Sequence, residues 1–353
     1  MNNSSESKKL KLIPDPHLFK GLSDSKKKNW ADYLYANPKP STYKLNLRNH
    51  IIGLYDPFVL RKDFQAGRRW CVNVYVGCAF QCKYCYIISY IRNPFHPRVK
   101  KNFEKLLCKD LEEIARLKLH RAPIHISNST DPLQPLEKKF NHTLLLMNKL
   151  QKYSKYFTTI TMLTKNPEYL CTNEYLKAVQ SLKNFQVEVT CPFYNEDARK
   201  FFEPGAPPVE NRLDSIRKLR RNNISVILRI DPIFPRNPLP ATFGNSDIKD
   251  YKISEGQTMA DIKRLIEFAS DVGCSKIVVS PLKLITGRFG QSELFHEYRK
   301  FYAIANNGKL IKKGPAYRLP WELYQFWIEE PKNIAESKNI SLVFCKKNLI
   351  ETL

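Results

Sequence analysis

The chain has 353 residues, of which 42% are hydrophobic, so it can bury a core as two domains or as one barrel with extensions. Its 58 basic and 34 acidic residues give a net charge of +24, which favours a polyanionic partner, nucleic acid first, although a lysine-rich surface can be only a compositional habit. No apolar run approaches the roughly 20 residues that cross a bilayer, and residues 1–11 lack the apolar segment of a secretory signal. Together with nine cysteines, an odd number, these features predict a cytoplasmic protein without a disulfide framework.

Residues 1–66 are predicted to form an N-terminal extension with a polar tail and short strands between Tyr43 and Leu60. From Arg69 onward, strand-like and helix-like segments alternate, which predicts parallel strands joined by right-handed crossovers. The predicted strands are Val72–Val76, Ile124–Ser127, Thr158–Leu163, Gln186–Thr190, Ser225–Ile230 and Lys276–Ser280. The predicted helices between them are Phe103–Leu119, Thr143–Tyr153, Asn173–Ser181, Val209–Arg221 and Met259–Val272, the last with Thr258 as its N-cap.

Six such strand–helix units predict an α/β fold, a partial (β/α)6 TIM-like barrel, over residues 67–290. Residues 291–353 are predicted to be a C-terminal helical cap, with helices at Glu293–Asn306 and Trp321–Ser337 and a last short strand at Ser341–Cys345. An incomplete barrel has a lateral opening through which a large substrate can enter.

Three cysteines, Cys78, Cys82 and Cys85, follow the first predicted strand with the spacing C-x3-C-x2-C. Thiolates are soft ligands that select iron–sulfur clusters, zinc or Cu(I). Three protein ligands leave one coordination position open, which distinguishes a reactive metal centre from a closed structural one. The alternative is a zinc site completed by His96, although structural zinc sites more often contain two C-x2-C pairs.

The cysteine motif, with Tyr84 before its last cysteine, resembles the cluster motif of the radical S-adenosylmethionine (SAM) superfamily. Within that superfamily the chain most resembles the spore photoproduct lyase-like branch, also described as DNA repair photolyase-like. The resemblance runs from about Cys71 to about Leu284. Its further segments are Thr130–Glu137 (TDPLQPLE), Thr164–Asn166 (TKN), Glu203–Pro208 (EPGAPP) with Arg212–Leu213, and Arg229–Pro235 (RIDPIFP).

This resemblance implies a [4Fe–4S] cluster held by Cys78, Cys82 and Cys85, with SAM chelating the fourth iron. It also implies an electron donor such as flavodoxin or ferredoxin. One-electron reduction would cleave SAM to methionine and a 5′-deoxyadenosyl radical, which abstracts a hydrogen atom from the substrate. The cofactor carries this chemistry, and the protein supplies binding and orientation.

The chemical groups of SAM can be matched to residues at the predicted strand ends. The methionine carboxylate needs a cation, for which Lys165 is the candidate. The ribose and amino group need polar partners, and the adenine needs an aromatic wall. The candidates for these are Ser129, Thr130 and Thr190 for the polar contacts, and Tyr84 and Tyr86 for the wall. Arg229, within a strand, is expected to point into the lumen and to pair with the cofactor carboxylate or with Glu188 or Asp231.

The chain departs from the lyases at one position. Spore photoproduct lyases return a hydrogen atom from a cysteine at the end of the second strand, where this chain has Asn128. An amide is a poor hydrogen-atom donor, so the cysteine-dependent route is not expected here. Cys191, at the end of the fourth predicted strand, is the fallback catalytic donor.

The sequence thus predicts a radical SAM enzyme that acts on nucleic acid or a nucleotide. A second hypothesis is a radical SAM enzyme that modifies a protein, peptide or small metabolite. A third is a non-enzymatic zinc- or cluster-bearing nucleic-acid-binding module. The six predicted strand–helix units with polar residues at the strand ends favour an enzyme over the third.

Overall fold

The computed structural model describes residues 42–43, 51–55, 69–117, 121–236, 239–240, 256–285, 292–313 and 316–345. Most of the predicted N-terminal extension lies outside these residues. The predicted boundaries at 66/67 and 290/291 lie outside them as well, so the division into three regions stays a prediction.

An eight-stranded sheet forms the centre of the fold. Its strands are β2 (Ile52–Tyr55), β3 (Arg69–Val72), β6 (Ala122–Ile126), β7 (Phe157–Thr164), β8 (Phe185–Thr190), β9 (Ser225–Ile233), β10 (Lys276–Pro281) and β14 (Leu342–Phe344). They lie in the order β14-β10-β9-β8-β7-β6-β3-β2. All neighbours are parallel except β2 and β3. The predicted α/β class with a mostly parallel sheet is confirmed.

Helices connect the parallel strands as the alternation predicts. They are α1 (Phe103–Leu117), α2 (Glu137–Phe140), α3 (His142–Tyr153), α4 (Asn173–Gln180), α5 (Glu196–Phe202), α6 (Val209–Arg221), α7 (Met259–Asp271), α8 (Ser292–Ile304) and α9 (Trp321–Ser337). Thr258 is the N-cap of α7, with a reciprocal capping box to Asp261. Within the described residues, no helix has the length and apolar character needed to cross a membrane.

The first predicted strand is divided in two in the structure. The central sheet keeps β3, which ends at Val72, whereas β4 (Tyr75–Val76) pairs with β5 (Arg98–Lys100) in a small separate sheet that also contains β1 (Thr42–Tyr43). The division occurs at Asn73, whose side-chain oxygen accepts the backbone N–H of Ser129 at 2.8 Å. Because this side chain is bonded to the loop after β6, the chain turns away from the sheet before the cysteines begin.

The C-terminal region contains more strand than the sequence predicts. The helices α8 and α9 form as expected, but β14 joins the central sheet as a seventh parallel strand beside β10. A second small sheet has the order β11-β13-β12, formed by Leu284–Ile285, Ala316–Arg318 and Ile311–Lys313.

The two faces of the central sheet differ in polarity, because successive side chains of a strand point to opposite sides. One face is apolar and packs on the helices; Val72, Ile126, Met162 and Val187 belong to it and are fully buried. The other face carries polar side chains. These are Cys71, His125, Thr161, Gln186, Glu188, Thr190, Arg229, Asp231 and Ser280. A sheet face lined in this way differs from the branched apolar filling of a closed barrel and suits a polar ligand.

Candidate active site

The three cysteines lie on the loop between β4 and β5, and backbone contacts fix where this loop begins. Gly77 has a φ of 77°, and a Cβ at this position would lie 2.8 Å from the carbonyl oxygen of Pro94. The next residue, Cys78, donates its N–H to the same oxygen at 2.7 Å. The left-handed turn and the close approach together require glycine here.

Side chains from the segment after β6 hold the same loop. The amide nitrogen of Gln134 donates to the carbonyl of Gly77 at 3.2 Å, and its amide oxygen accepts the N–H of Ala79 at 3.0 Å. The hydroxyl of Thr130 also donates to Gly77 O and accepts the Gln134 amide at 2.9 Å. Thr130, a predicted cofactor ligand, therefore binds the loop itself.

A third segment closes over the loop from the turn after α5. The N–H of Gly205 donates to the carbonyl of Phe80 at 3.1 Å, and a Cβ on Gly205 would lie 2.4 Å from the carbonyl oxygen of Ala79. The sequence segments TDPLQPLE and EPGAPP, far apart in the chain, thus meet at the cysteine loop.

The three thiols form one small cluster around Phe80 and Ala206. Cys82 is buried and the other two are partly buried. Burial raises the pKa of all three thiols, because the charged thiolate is poorly solvated there. A bound metal would supply the positive charge that stabilises the thiolate form. Within the described part of the chain, no three His, Cys, Asp or Glu side chains lie close enough together for a single metal ion. Three thiols without a fourth protein ligand fit a cluster better than the zinc site with His96.

Beside the cysteines lies a buried charge network centred on Glu203. Its carboxylate contacts the guanidinium of Arg212 at 2.7 Å and the ammonium of Lys165 at 3.5 Å, and it accepts the hydroxyl of Tyr84. Burial alone would raise the pKa of Glu203, but Arg212 and Lys165 outweigh it and hold this pKa below its usual range. The Lys165 ammonium also lies 5.5 Å from the centre of the Tyr84 ring. Together with Arg212 it gives the network two cations for one carboxylate.

The carboxylate of Asp131 accepts hydrogen bonds that connect two loops of the fold. It accepts the N–H of Leu133 at 2.9 Å, the hydroxyl of Thr164 at 2.8 Å and the N–H of Lys165 at 2.7 Å. This side chain ties the loop after β6 to the end of β7 and so positions the backbone of Lys165. Burial raises the pKa of Asp131 despite these hydrogen bonds.

The other predicted polar ligands occupy distinct places. Ser129 accepts the hydroxyl of Tyr90 at 2.8 Å, at the partly exposed end of β6. Thr190 is buried at the end of β8, where its carbonyl accepts Arg212 at 3.0 Å. Arg229 pairs with Glu188 at 2.6 Å and with Asp231, the two carboxylates that the sequence offered as alternatives to the cofactor.

The two predicted wall residues face different surroundings. Tyr84 is partly buried, packs edge-on against Phe234 at 5.7 Å and bonds to Glu203. Tyr86 is 43% exposed, and its hydroxyl donates to the carbonyl of Asn128. Tyr84 therefore lies inside the site and Tyr86 at its rim.

The fallback donor Cys191 is fully buried, and its thiol contacts the carbonyl of Phe193 at 3.4 Å. It continues the row of Val187 and Val189 and belongs to the apolar core. The thiol nearest to Asn128 is instead that of Cys71 on β3, 3.3 Å from the Asn128 amide nitrogen. The catalytic role of Cys191 stays a prediction.

Sequence reasoning gave no role to Gln134, Glu137 or Arg212. Glu137 is fully buried and accepts the hydroxyl of Tyr175 at 2.5 Å and the N–H of Thr143 at 2.9 Å, so it caps α3 from outside the helix. The sequence pointed to Gln134 and Glu137 only as members of the motif TDPLQPLE. The spacing of a motif does not show whether its polar side chains are buried.

Residues 72–238 match the model of the Radical SAM superfamily. The matched segment contains the cysteine loop, Lys165, the Glu203 network and Arg229. This segment, just under half of the chain, is thus similar to the radical SAM superfamily. The superfamily uses a [4Fe–4S] cluster and SAM.

Among curated proteins, the chain is similar to the uncharacterized protein MJ0683 of Methanocaldococcus jannaschii, with 26% identity over 169 residues. This match covers 48% of the chain and 62% of that relative.

The fold is similar to that of spore photoproduct lyase. A variant of that lyase with bound AdoMet and dinucleoside spore photoproduct has a TM-score of 0.55 and 12% identity, over 77% of this chain and 75% of the other. A second lyase structure, complexed with dinucleoside spore photoproduct, has a TM-score of 0.52 and 12% identity, over 78% and 76%. At such identities the likeness concerns the fold alone.

Proposed function

We propose that this enzyme cleaves SAM reductively at a [4Fe–4S] cluster and acts on nucleic acid or a nucleotide. The observation that carries the proposal is the loop of Cys78, Cys82 and Cys85, held at three points beside the cationic side chain of Lys165. When bound, the cluster would supply one electron, and the cleavage of one carbon–sulfur bond of SAM would then give methionine and a 5′-deoxyadenosyl radical.

The side chains of this protein would bind and orient the cluster and SAM. Cys78, Cys82 and Cys85 would hold three irons, and Lys165 would bind the carboxylate of SAM while Arg212 keeps Glu203 neutralised. Ser129 and Thr190 would meet the ribose and amino group. Further roles are proposed for three residues: Tyr84 as the adenine wall, Thr130 as a support of the cysteine loop and Arg229 as an anchor of the lumen carboxylates.

The substrate class is argued from charge and polarity. The net charge of +24 favours a polyanion, and the lumen face of the sheet is polar. The dinucleoside bound by spore photoproduct lyase, a protein of similar fold, agrees with a nucleic-acid substrate. A protein, peptide or metabolite substrate remains the second candidate, in which case the charge has no part in binding. The non-enzymatic module is not retained, because the matched superfamily is one of enzymes.

The test of the radical chemistry is anaerobic reconstitution of the full chain. We expect roughly four iron and four sulfide per chain and slow release of 5′-deoxyadenosine from SAM under a one-electron reductant. Cys82→Ala should lose both, whereas Cys274→Ala, which alters a buried cysteine outside the loop, should keep both. A colourless protein with one zinc per chain would contradict the proposal.

The substrate class is tested by the same release assay with candidate substrates. Single-stranded and duplex DNA or RNA should accelerate release of 5′-deoxyadenosine above the substrate-free rate. Acceleration by peptides or metabolites alone would replace the first candidate with the second.

A further inference from the structure

Exposed aromatic rings surround the cysteine loop. Among the described residues, the exposed large hydrophobic side chains are Tyr86, Tyr90, Phe201, Ile311 and Phe326. Tyr86 directly follows Cys85 along the chain, and Tyr90 comes one helical turn later. Lys83 of the same loop lies over the ring of Phe201 at 3.5 Å. Exposed apolar groups gathered at one place mark an interaction site.

Tyr86 and Tyr90 form an ordered pair. Their ring centres are 6.0 Å apart, with 33° between the ring planes. The hydroxyl of Tyr90 donates to Ser129 at 2.8 Å, and the hydroxyl of Tyr86 donates to the carbonyl of Asn128. Both hydroxyls are thus bonded to the end of β6 at the mouth of the lumen. Although their rings are 43% and 56% exposed, these side chains are held in one orientation.

All the charged side chains of the surrounding segment, leaving His aside, are basic. Residues 64–103 contain seven Lys and Arg residues and no Asp or Glu. Arg92 and Lys101 are exposed in this segment. A stretch of 40 residues without an acidic group would attract phosphates, and it would equally attract an acidic protein such as an electron donor.

The rings distinguish between these two partners. The face of an aromatic ring is the negative side of its quadrupole, so it repels carboxylates but stacks well on a nucleobase. A nucleobase presents a flat ring that two oriented tyrosines can stack on, whereas a carboxylate does not.

We propose that Tyr86 and Tyr90 are a stacking platform for an unpaired base of single-stranded nucleic acid. The inference rests on the nucleic-acid part of the proposed function. It moves Tyr86 from the predicted adenine wall to the substrate and leaves Tyr84 for the adenine. A base stacked on this platform lies beside Asn128 and Ser129, at the entrance to the lumen.

The experiment compares two ligands that differ only in their bases. Fluorescence anisotropy measures the affinity of the reconstituted full chain for a single-stranded oligothymidylate and for an abasic oligomer of the same length and backbone. We expect the base-bearing strand to bind about five- to 150-fold more tightly, which corresponds to about 1–3 kcal/mol for a stacked base.

Variants of the protein then show which side chain causes the preference for the base-bearing strand. Tyr90→Leu should remove most of it, whereas Tyr90→Phe, which keeps the ring, should retain it. Phe326→Leu on α9 alters an exposed aromatic residue elsewhere and should leave the preference unchanged. Iron and sulfide content is measured for each variant to verify that the neighbouring loop is intact.

Equal affinity for the two strands would overturn the inference, as would a preference that survives Tyr90→Leu. Binding of an acidic flavodoxin that is lost in Tyr90→Leu, without any base preference, would reassign the surface to the electron donor. The proposed function is judged separately, because release of 5′-deoxyadenosine does not depend on this binding assay. Release without base preference contradicts only the platform, and base preference without release contradicts only the radical chemistry.

Discussion

At the scale of single residues, the site depends on one buried anion with two cations. Glu203 and Arg212 are completely buried side chains, and Lys165 is nearly so. Buried charges persist only when they are paired, because removal from water is costly for each ion. The pairing leaves Lys165 both charged and close to the cysteines, where a carboxylate of SAM requires a cation.

Lys165→Ala is expected to weaken SAM binding by about 1.5–3 kcal/mol, a loss of roughly ten- to 150-fold in affinity, because it removes a charge-assisted contact. Equilibrium binding of SAM to the reconstituted protein measures this. Lys177→Ala, which removes an exposed lysine on α4, is the control and should bind as the wild type does. Unchanged affinity in Lys165→Ala would place the carboxylate elsewhere.

Glu203→Gln is expected to destabilise the fold by about 3–5 kcal/mol at pH 7, because it leaves Arg212 buried without its counter-ion. The pKa of Glu203 is depressed in the folded protein, so its stabilisation is present above the unfolded value of about 4.3 and is lost as pH falls through the lower folded value. Urea unfolding at several pH values should therefore show a smaller loss of stability in acid for the variant. Glu210→Gln, at an exposed ion pair, should change stability by less than about 1 kcal/mol. Equal acid sensitivity of Glu203→Gln and wild type would argue against an ionised Glu203.

We also expect no multiple-turnover repair of the dinucleoside spore photoproduct by a cysteine-dependent route, since Asn128 occupies the donor position. The assay is product formation under reducing, anaerobic conditions. Efficient turnover would contradict this expectation, and Cys191→Ala and Cys71→Ala would then tell whether the buried thiol of β8 or the one beside Asn128 supplies the hydrogen atom.

At the scale of elements, residues 77–85 of the cysteine loop form neither helix nor strand, and a 3-10 helix at Tyr86–Ser89 follows them. The loop is held by segments that follow β6 and α5, through Gln134, Thr130 and Gly205. These supports compensate for the missing strand partners of the loop, whose backbone groups would otherwise be buried without hydrogen bonds.

Gln134→Ala is expected to loosen this loop, because it leaves the carbonyl of Gly77 and the N–H of Ala79 without that partner, at a cost of about 1–3 kcal/mol. The measurement is iron and sulfide retained per chain after chelator treatment, which should fall relative to wild type. Gln151→Ala, at an exposed glutamine of α3, should retain as much as wild type does. Equal retention in Gln134→Ala would show that the backbone contacts suffice.

At the scale of the whole molecule, the net charge of +24 predicts nucleic-acid binding that is steeply salt-dependent and largely independent of sequence. Each phosphate neutralised on duplex DNA should contribute about −0.9 to the slope of log affinity against log salt. Titrations at several salt concentrations with unrelated sequences measure this. No binding at low salt would favour the peptide or metabolite alternative.

The sequence by itself determined the order of strands and helices and the identity of the three thiols. Period-two apolar runs and helical spacing are local properties, so α6 and α9 have the predicted bounds and β6 to β10 lie where predicted. The spacing of Cys78, Cys82 and Cys85 is likewise local, since a short loop brings them together whatever surrounds it.

Only the tertiary structure decided which polar side chains support the fold and which are available to bind the cofactor or substrate. Thr130 and Cys191 each follow a strand, and Arg229 lies within one, so their positions in the sequence look alike. In the structure, Thr130 bonds to the cysteine loop, Arg229 pairs with two carboxylates, and Cys191 lies in the apolar core. Which face a side chain takes depends on register and on partners more than 40 residues away, as for Arg229 and Glu188. The separation of Tyr84 inside the site from Tyr86 at its rim arises for the same reason, because Glu203 and Asn128, distant in sequence, bind their hydroxyls.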